Sequence, residues 1–448
     1  MKRNLLENIN RWNSSGNRRK PLVLMGARQV GKSWLMQTFA DECYPNDTVC
    51  VDLHDDELLR DALEDSRADA LGLLEIIATA TGRKIIPGRT LLILDEIQES
   101  PRLLTSLKYF NEKIPDLAVM AAGSLLGLAL KRDDRRKRVP EKKVSFPVGK
   151  VTFLEVPPMT FAEFLDAIGE GEKRRRLEER SWQTVSALHR SYCDLLKKYY
   201  FVGGMPEAVA TYAREHDLVD VRNVQKEILT AYDKDFAKHA PAALLAKIRL
   251  LWRAVPSQLA RENKKFIYTA LRAGARAREY ETALQWLEDA GMIHQVRRVT
   301  RPGMPLKAYE DFSAFKLYAH DVGLLGAMSD LPQQALLQGN ALFTHFKGAF
   351  TEQYVLEELI ASGVSPSYWS TDEGMAEVEF VVQGETSIYP VEVKAETNLQ
   401  AKSLKSYRDR FSPPKCLRTS LSEFSVGPLT DDVPLYAVAT IAPDYLKR

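Results

Sequence analysis

Short apolar runs alternate with helical stretches along the first third of the chain. The apolar runs lie at residues 22–25, 49–53, 91–94 and 118–122. Runs of this length are typical of buried parallel strands, because a strand that is covered on both faces needs no polar side. The stretches at 33–40 and 56–80 are helical in pattern. This alternation predicts a doubly wound parallel α/β sheet over residues 1–156.

The pattern changes after the Pro-Pro pair at 157–158. Residues 157–239 contain helical stretches around a Gly-Gly-Met-Pro segment, which predicts packed helices joined by a fixed turn. Residues 240–309 show helical stretches followed by a short hairpin, which is the order of a winged helix-turn-helix. Residues 310–448 combine a helical stretch with strands. An all-helical lid and a small winged-helix-like region are therefore predicted after the sheet.

Composition and charge narrow the class of protein only slightly. The chain has 448 residues, with 62 Lys and Arg against 60 Asp and Glu, so its net charge is +2. This balance argues neither for nor against nucleic acid. Four cysteines without a C-x-x-C pair indicate reduced thiols. The start of the chain lacks the apolar stretch of a signal peptide, and the apolar run at 117–130 is too short for a bilayer. A cytoplasmic protein without membrane contact is predicted.

The first candidate site begins where the first strand ends. The sequence there fits the phosphate-loop pattern G-x-x-x-x-G-K-[ST], with Lys32 and Ser33 at its last two positions. Backbone N–H groups of such a loop surround phosphate oxygens, the lysine reaches the β- and γ-phosphates, and the hydroxyl holds Mg²⁺. A chance match is the alternative, and the flanking strand and helix argue against it. The predicted nucleotide-binding residues are Gly26, Ala27, Arg28, Gln29, Val30, Gly31, Lys32, Ser33 and Trp34.

A pair of acids follows the run at 91–94. Asp95 is placed to hold Mg²⁺, and Glu96 beside it can deprotonate the attacking water. The alternative is that the pair only caps the next helix. Ser124 follows the run at 118–122, where a polar side chain can sense the γ-phosphate. The predicted catalytic residues are Lys32, Glu96 and Ser124, and the predicted metal ligands are Ser33 and Asp95.

Basic side chains mark the winged-helix-like region. Arg276 and Arg278 lie on its third helix, and Arg297, Arg298 and Arg301 lie on its hairpin. A basic helix with a basic wing suits the major groove and the backbone phosphates of DNA. Two alternatives stay open, because such folds also mediate protein contacts and because arginines often form a solvated face.

Acids and one lysine in the C-terminal region predict a second kind of chemistry. Glu352 lies on a helix predicted at 342–359, and Glu379 and Glu392 lie on successive strands. The two strand carboxylates can share a divalent metal, and Lys394 points to the same face as Glu392. These four residues form a candidate nuclease-like site. Paired charges on a sheet edge are the alternative.

Taken together, these motifs resemble a bacterial and archaeal family of P-loop ATPases that pairs an AAA-type domain, AAA_14, with a C-terminal DUF4143 domain. The resemblance is carried by the segments at 26–33, 91–98, 123–124, 161–164, 202–207, 235–239 and 389–395. It implies ATP binding, ATP hydrolysis and a C-terminal part similar to restriction endonucleases. Two positions depart from the family pattern: Glu379 replaces an Asp, and Lys150 replaces an Arg that suits a finger acting on a neighbouring subunit.

The predicted fold class is α/β, and four regions are expected. They are a P-loop ATPase domain at 1–156, a helical lid at 157–239, a winged-helix-like region at 240–309 and a restriction-endonuclease-like α/β domain at 310–448. The leading hypothesis is a Mg²⁺-dependent ATPase that acts as a switch or motor, with ATP and Mg²⁺ as ligands. The alternatives are a nucleic-acid-binding regulator with ATP as ligand and a metal-dependent nuclease in mobile-element or phage defence. DNA or RNA, an unknown protein partner and a homo-oligomer stay open as partners.

Overall fold

The structure, a computed structural model, describes residues 2–123, 126, 149–261, 264–335, 344–371, 374–396 and 402–446. The chain divides into two units. The N-terminal unit comprises Arg3–Val156 with Asp289–Gly291, and the C-terminal unit comprises Met1–Lys2, Pro157–Glu288 and Met292–Arg448. Ser124, one of the predicted catalytic residues, lies outside the described residues.

Helices and parallel strands alternate in the N-terminal unit. Its helices are α1 (Leu5–Asn13), α2 (Lys32–Cys43), α3 (Glu57–Asp65), α4 (Ala70–Thr81) and α5 (Pro101–Lys113), with 3-10 turns at Gly16–Arg18 and Ile97–Glu99. Its strands are β1 (Leu22–Met25), β2 (Thr48–Asp52), β3 (Leu91–Asp95), β4 (Ala118–Ala122) and β5 (Thr152–Glu155). In the sheet they stand in the order β2-β3-β4-β1-β5, and each pair is parallel.

The core of this unit follows from the apolar pattern. Every residue of β3 and β4 is buried, and the apolar sides of α3, α4 and α5 belong to the same buried cluster as these strands. Burial of one Leu or Ile side chain contributes about 1.5–3 kcal/mol. Helix α5 begins sharply, because the Ser100 side chain accepts from the Leu103 N–H and Pro101 stands at the first helical position. The predicted parallel α/β sheet is confirmed, and the carboxyl ends of β1, β3 and β4 meet at one edge.

Helices dominate the first part of the C-terminal unit. They are α6 (Phe161–Ala167), α7 (Gly171–Glu178), α8 (Trp182–Ala187), α9 (His189–Val202), α10 (Pro206–Glu215), α11 (Leu218–His239), α12 (Ala242–Leu259), α13 (Ala277–Asp289) and α14 (Val322–Met328), with a 3-10 turn at Tyr268–Ala270. The predicted fixed turn lies between α9 and α10. There the Gly204 N–H donates to Asp321 at 2.6 Å, and Asp321 also caps α14. The helical region expected after the sheet is confirmed.

The remaining strands form a second, mixed sheet. They are β6 (Ile293–Val299), β7 (Glu310–Ala319), β8 (Ser367–Ser370), β9 (Glu377–Gln383), β10 (Ile388–Val393), β11 (Cys416–Ser420), β12 (Ser425–Val426) and β13 (Thr430–Pro434). Their order is β12-β13-β11-β10-β9-β8-β6-β7. The other elements are α15 (Thr344–Ala361), α16 (Lys402–Phe411), the 3-10 turns Leu306–Tyr309 and Leu435–Thr440, and a π-helical turn at Ala442–Leu446.

The hairpin of β6 and β7 belongs to this large sheet. The two strands pair antiparallel, and β6 also pairs with β8 through Arg298↔Tyr368 and Val299↔Trp369. The boundary predicted between residues 309 and 310 lies in the connection between β6 and β7, and it stays a prediction. The winged-helix and restriction-endonuclease-like assignments stay predictions. No helix in the described part of the chain combines the length and the apolar character needed to cross a membrane.

Candidate functional site

The predicted phosphate loop connects β1 to α2 at the edge where the strands end. Gly31 caps α2 in the left-handed region, with φ of 91°, and the Leu35 N–H donates to the Gly31 carbonyl at 3.0 Å. Gly26 has φ of 139°, and a Cβ at this position would collide with the carbonyl oxygen of Val156. The loop therefore needs glycine at both ends of the turn, as the G-x-x-x-x-G pattern predicts.

Lys32 closes the loop on itself. Its Nζ donates to the carbonyl oxygens of Gly26, at 3.0 Å, and Ala27, at 2.7 Å, and the residue is 6% exposed. Burial lowers the pKa of Lys32 to about 8, although the charges of Glu96 and Asp95 act in the opposite direction. The ammonium group thus contacts neutral oxygens at a position that is shielded from solvent. A phosphate oxygen that replaces these carbonyls would gain a charged donor.

The predicted metal ligands meet across the sheet edge. Asp95 ends β3 in a buried position, and its carboxylate is hydrogen-bonded to the Ser33 side chain. It also accepts the N–H of Glu96 at 3.0 Å. Burial raises the pKa of Asp95, and these two hydrogen bonds oppose the rise. A carboxylate and a hydroxyl in contact are oxygen ligands of the kind that Mg²⁺ prefers, so the donor set fits this ion.

Glu96 lies next to this pair in a left-handed backbone conformation, with φ of 49°. Its carboxylate Oε2 accepts from the side-chain Nε2 of Gln98. Gln98 lies in the motif segment at 91–98, but no role is predicted for it from the sequence. A glutamine two residues after the strand-end acids is the signal that could have identified it.

Other predicted nucleotide-binding residues lie at the surface of the loop. Gln29 has φ of 63° and is exposed, and Trp34 is 38% exposed on the first turn of α2. Arg3 was not predicted, yet it is 4% exposed and its Nη1 donates to the Val30 carbonyl at 3.0 Å. No sequence pattern pointed to it, because the contact joins residues 27 positions apart. Lys150, named as a candidate finger, pairs with Glu112 at 3.0 Å.

The four predicted C-terminal residues also converge. Glu352 on α15 is 5% exposed and Glu392 on β10 is 1% exposed. Glu379 on β9 accepts the Val393 N–H at 3.0 Å, and Lys394 Nζ lies 2.5 Å from Glu392 Oε1. The antiparallel pairing of β9 with β10 brings the strand acids together, as the sequence predicts.

Further partners of this cluster were not predicted. Lys264 contacts Glu352, and Lys316 Nζ lies 3.6 Å from Glu352 Oε2 and 2.6 Å from Glu377 Oε1. Tyr318 donates its hydroxyl to Glu352 at 3.2 Å. We use the name acidic cluster for Glu352, Glu377, Glu379 and Glu392 with Lys264, Lys316 and Lys394. Three lysines thus lie among four carboxylates.

Burial, the lysines and the neighbouring carboxylates together set the charge states of the acidic cluster. Burial alone would raise the pKa of Glu352, but Lys264 and Lys316 outweigh it and hold the pKa below its usual value. Burial and the neighbouring Glu392 raise the pKa of Glu379 to about 8. Burial would lower the pKa of Lys316, yet Glu377 and its other neighbours raise it well above the usual value. In the described residues, no group of three or more His, Cys, Asp or Glu side chains is arranged to hold a metal ion.

The arginines of the winged-helix-like region have mixed environments. Arg298 makes an ion pair with Asp311 at 2.6 Å, and the Arg297 guanidinium lies 4.5 Å from the centre of the Phe312 ring. Arg276, Arg278 and Arg301 are exposed. The ion pair neutralises the charge of Arg298, one of the five arginines of this region. The interpretation of this region as a nucleic-acid interface stays a prediction.

Residues 18–165, which contain the candidate phosphate loop, the strand-end acids and the parallel sheet, match the family model described as AAA domain, AAA_14. Residues 347–436 match the model described as domain of unknown function DUF4143, and residues 193–335 match domain of unknown function DUF8612. The combination of AAA_14 with DUF4143 expected from the motifs is therefore confirmed.

Solved structures with similarity to the chain include a Walker-type ATPase of Pyrococcus abyssi. It shares 16% identity over 72% of this chain and 95% of its own, with a TM-score of 0.43. The Orc1 protein of Aeropyrum pernix, solved in complex with DNA, shares 13% identity over 74% of this chain and 92% of its own, with a TM-score of 0.28. Cdc6p of Pyrobaculum aerophilum shares 11% identity over 74% of this chain and 93% of its own, with a TM-score of 0.26. No curated protein matches the chain.

Proposed function

We propose that this chain binds ATP with Mg²⁺, hydrolyses it, and uses the cycle as a molecular switch or motor. The observation that carries the proposal is the hydrogen bond between Ser33 and Asp95, with Lys32 and Glu96 acting electrostatically on one another beside it. These four side chains come from two separate segments of the sequence. Their convergence at the end of β1 and β3 supports a phosphoryl-transfer site.

Each residue has a role that its position supports. The N–H groups of the loop and the Lys32 ammonium would bind phosphate oxygens, and Ser33 with Asp95 would hold Mg²⁺. When bound, Mg²⁺ supplies charge neutralisation on the phosphate oxygens. Glu96 would accept a proton from the attacking water, because it is the carboxylate next to the metal-binding acid.

Lys32 also offers a physical basis for switching. Its ammonium holds the Gly26 and Ala27 carbonyls when it is not on phosphate. Phosphate binding would remove two hydrogen bonds that fix the loop, and phosphate release would restore them. The shape of the loop would then report whether nucleotide is present, which is the minimum that a switch requires.

The test is ATP binding and turnover by the wild type, Lys32→Ala and Glu96→Gln, each with and without duplex DNA. We expect Lys32→Ala to lose ATP binding, and Glu96→Gln to bind ATP with turnover reduced about 10²- to 10⁴-fold. Lys84→Ala, which changes an exposed lysine of the same unit, should behave as the wild type. Normal turnover in Glu96→Gln would contradict the role of this base. Stimulation by DNA would support a nucleic-acid-coupled cycle, and its absence would direct the search to protein partners.

A metal-dependent nuclease is the second candidate function. The convergence of Glu352, Glu379, Glu392 and Lys394 in the acidic cluster supports it, since carboxylate oxygens suit hard cations. The lysine partners of Glu352 oppose it, because a metal would have to compete with two ammonium groups. The test is Mg²⁺- or Mn²⁺-dependent cleavage of DNA and RNA by the wild type, Glu392→Gln and the exposed-site control Lys405→Ala. Cleavage lost only in Glu392→Gln would support this function, and no cleavage of any substrate would count against it.

A further inference from the structure

An open groove lies between α3 and α4 of the N-terminal unit. Its volume is about 780 Å³. Leu58, Leu59 and Ala62 of α3 line it on one side, and Gly72 and Ile76 of α4 line it on the other. Positions 58 and 62 are four residues apart, as are positions 72 and 76, so each pair lies on one side of its helix. The groove is therefore a furrow between two helices, with alkyl side chains in its walls.

The mouth of this groove exposes apolar surface. Leu58 is 87% exposed, which is the largest value for a large apolar side chain in the described residues. Ile76, in the opposite wall, is partly buried and packs against the core of the unit, so the fold fixes its position. A single exposed leucine needs no explanation, but a leucine at the mouth of an alkyl-lined groove marks a surface that gains free energy when it is covered.

The chain around the groove is strongly acidic. Residues 52–75 contain nine Asp and Glu against two Arg, which gives this segment a net charge of −7 in a chain whose total is +2. Asp56 and Glu75 line the groove itself, and both are exposed. Lys113 lies 3.7 Å from Asp69, but in the described part of the chain Glu75 makes no ion pair. The rim of the groove therefore carries negative charge that the protein leaves to solvent.

This charge limits the class of molecule that can cover the groove. Nucleic acids and anionic membranes are polyanions, which a segment of net charge −7 repels. A second copy that packed through the same face would bring two such segments together, and like charges facing each other oppose association. A cationic partner gains from the same charges. A furrow between two helices with apolar walls also has the shape that accepts an amphipathic helix.

We propose that this groove is the docking site for an amphipathic helix, rich in lysine or arginine, of another protein. The apolar side of that helix covers Leu58 and the wall formed by Ile76. Its flanking cations lie beside Asp56 and Glu75. The proposal goes beyond the ATPase function, because it uses no residue of the phosphate loop and does not depend on ATP hydrolysis.

Fluorescence anisotropy with synthetic peptides tests the proposal. The probe is a labelled peptide of about 18 residues, or about five helical turns, with leucine at helical spacing and lysine at the other positions. One control peptide keeps the leucines and replaces every lysine by glutamate. A second control has the composition of the probe in scrambled order, so that it keeps the charge and lacks an apolar side. We expect saturable binding of the probe alone, with an affinity that falls as salt is added.

Two matched pairs of variants locate the binding. Leu58→Gln should weaken it about tenfold, because the complex loses the burial of one leucine side chain. Leu71→Gln is its control, since Leu71 is an exposed leucine of α4 that does not line the groove. Glu75→Lys should weaken binding about three- to tenfold at low salt. Glu42→Lys, the same change on α2, should have no effect. All four side chains are exposed, so each variant should keep the wild-type Tm.

Four results would overturn the proposal. No saturable binding of the probe at low salt would do so directly. Equal binding by the wild type and Leu58→Gln would mean that the probe binds elsewhere, and equal binding of the scrambled peptide would mean that charge alone attracts it. A wild-type dimer that Leu58→Gln dissociates in sedimentation would assign the groove to a second copy. Since each measurement is made without ATP, failure of the ATPase proposal would leave these outcomes unchanged.

Discussion

The phosphate loop and the acidic cluster both contain a buried lysine, and the two lysines have opposite environments. Lys32 donates to two backbone carbonyls, and burial lowers its pKa to about 8. Lys316 lies 2.6 Å from a Glu377 carboxylate oxygen and near Glu352, and these acids raise its pKa well above the usual value. In the described residues, the Lys32 ammonium is hydrogen-bonded to neutral oxygens and is affected by Glu96 and Asp95 through their charges, whereas Lys316 is paired directly with carboxylates.

This difference indicates how each site relates to a ligand. A lysine held by neutral carbonyls can exchange them for an anion at little electrostatic cost, because no ion pair has to be broken. A lysine between two carboxylates is already neutralised, and its removal would leave buried charges without a counter-ion. The proposed nucleotide site would therefore exchange ligands, whereas the acidic cluster keeps its own charges paired. Three predictions test this contrast.

The largest expected effect concerns the acidic cluster. Lys316→Met should lower the free energy of unfolding by about 3 kcal/mol, because the buried Glu352 and the partly exposed Glu377 both lose an ammonium partner. This loss would be measured by urea unfolding that is monitored through hydrogen exchange of the β7 amides. Lys405→Met on the exposed face of α16 is the control and should change stability by less than about 0.5 kcal/mol. An unchanged stability in Lys316→Met would show that the cluster does not depend on internal neutralisation.

The second prediction uses two glutamates of the same cluster. Glu379 has a raised pKa of about 8, so near neutral pH it is protonated in the folded state and ionised in the unfolded state. The stability that its proton contributes is fully present below the unfolded pKa and is lost as pH rises through about 8. The stability of Glu379→Gln relative to the wild type should therefore increase by about 1 kcal/mol per pH unit between about pH 5 and 8.

Glu352→Gln is the matched comparison for Glu379→Gln. The pKa of Glu352 lies below its usual value, because Lys264 and Lys316 outweigh the effect of burial. This variant should be destabilised at neutral pH, since two ammonium groups lose their charged partner. Urea midpoints of both variants across this pH range measure the contrast. Parallel pH profiles would mean that the two carboxylates share one charge state, which would contradict the assignment.

The N-terminal site could be predicted because its chemistry is local in sequence. The loop occupies consecutive residues, and its glycines, lysine and serine have fixed spacing. Asp95 and Glu96 directly follow an apolar strand, so their place at the sheet edge follows from strand direction alone. Gln98 received no role, because its hydrogen bond to Glu96 depends on the direction of its side chain. That direction is set by contact with Gly123, 25 residues further along.

The acidic cluster was only half predicted, because its cations are distant in sequence. Lys264 lies 88 residues before Glu352, and Lys316 is the single charged residue in the buried, otherwise apolar end of β7. A single lysine in an apolar run does not indicate which carboxylate it pairs with. The same limit applies to the pairing of β6 with β8, which joins residues about 70 positions apart.

The last prediction concerns the pH dependence of ATP binding at Lys32. In the free protein this lysine has a pKa of about 8, and an anionic phosphate beside it would raise that value. Above pH 8 the free protein must therefore take up a proton to bind ATP, whereas below pH 7 it already carries that proton. The affinity should be flat at neutral pH and fall about tenfold per pH unit above pH 8.

Titration with a fluorescent ATP analogue at fixed Mg²⁺, from about pH 7 to 9.5, measures this fall. Lys32→Arg is the decisive control, because a guanidinium stays charged over the whole range and should remove the pH dependence even if it binds ATP more weakly. Affinity that stays flat to pH 9.5 in the wild type would mean that Lys32 keeps its proton while it is held by the Gly26 and Ala27 carbonyls. The contrast between the two lysines would then lie in their partners alone and not in their charge, and the loop would exchange ligands without proton uptake.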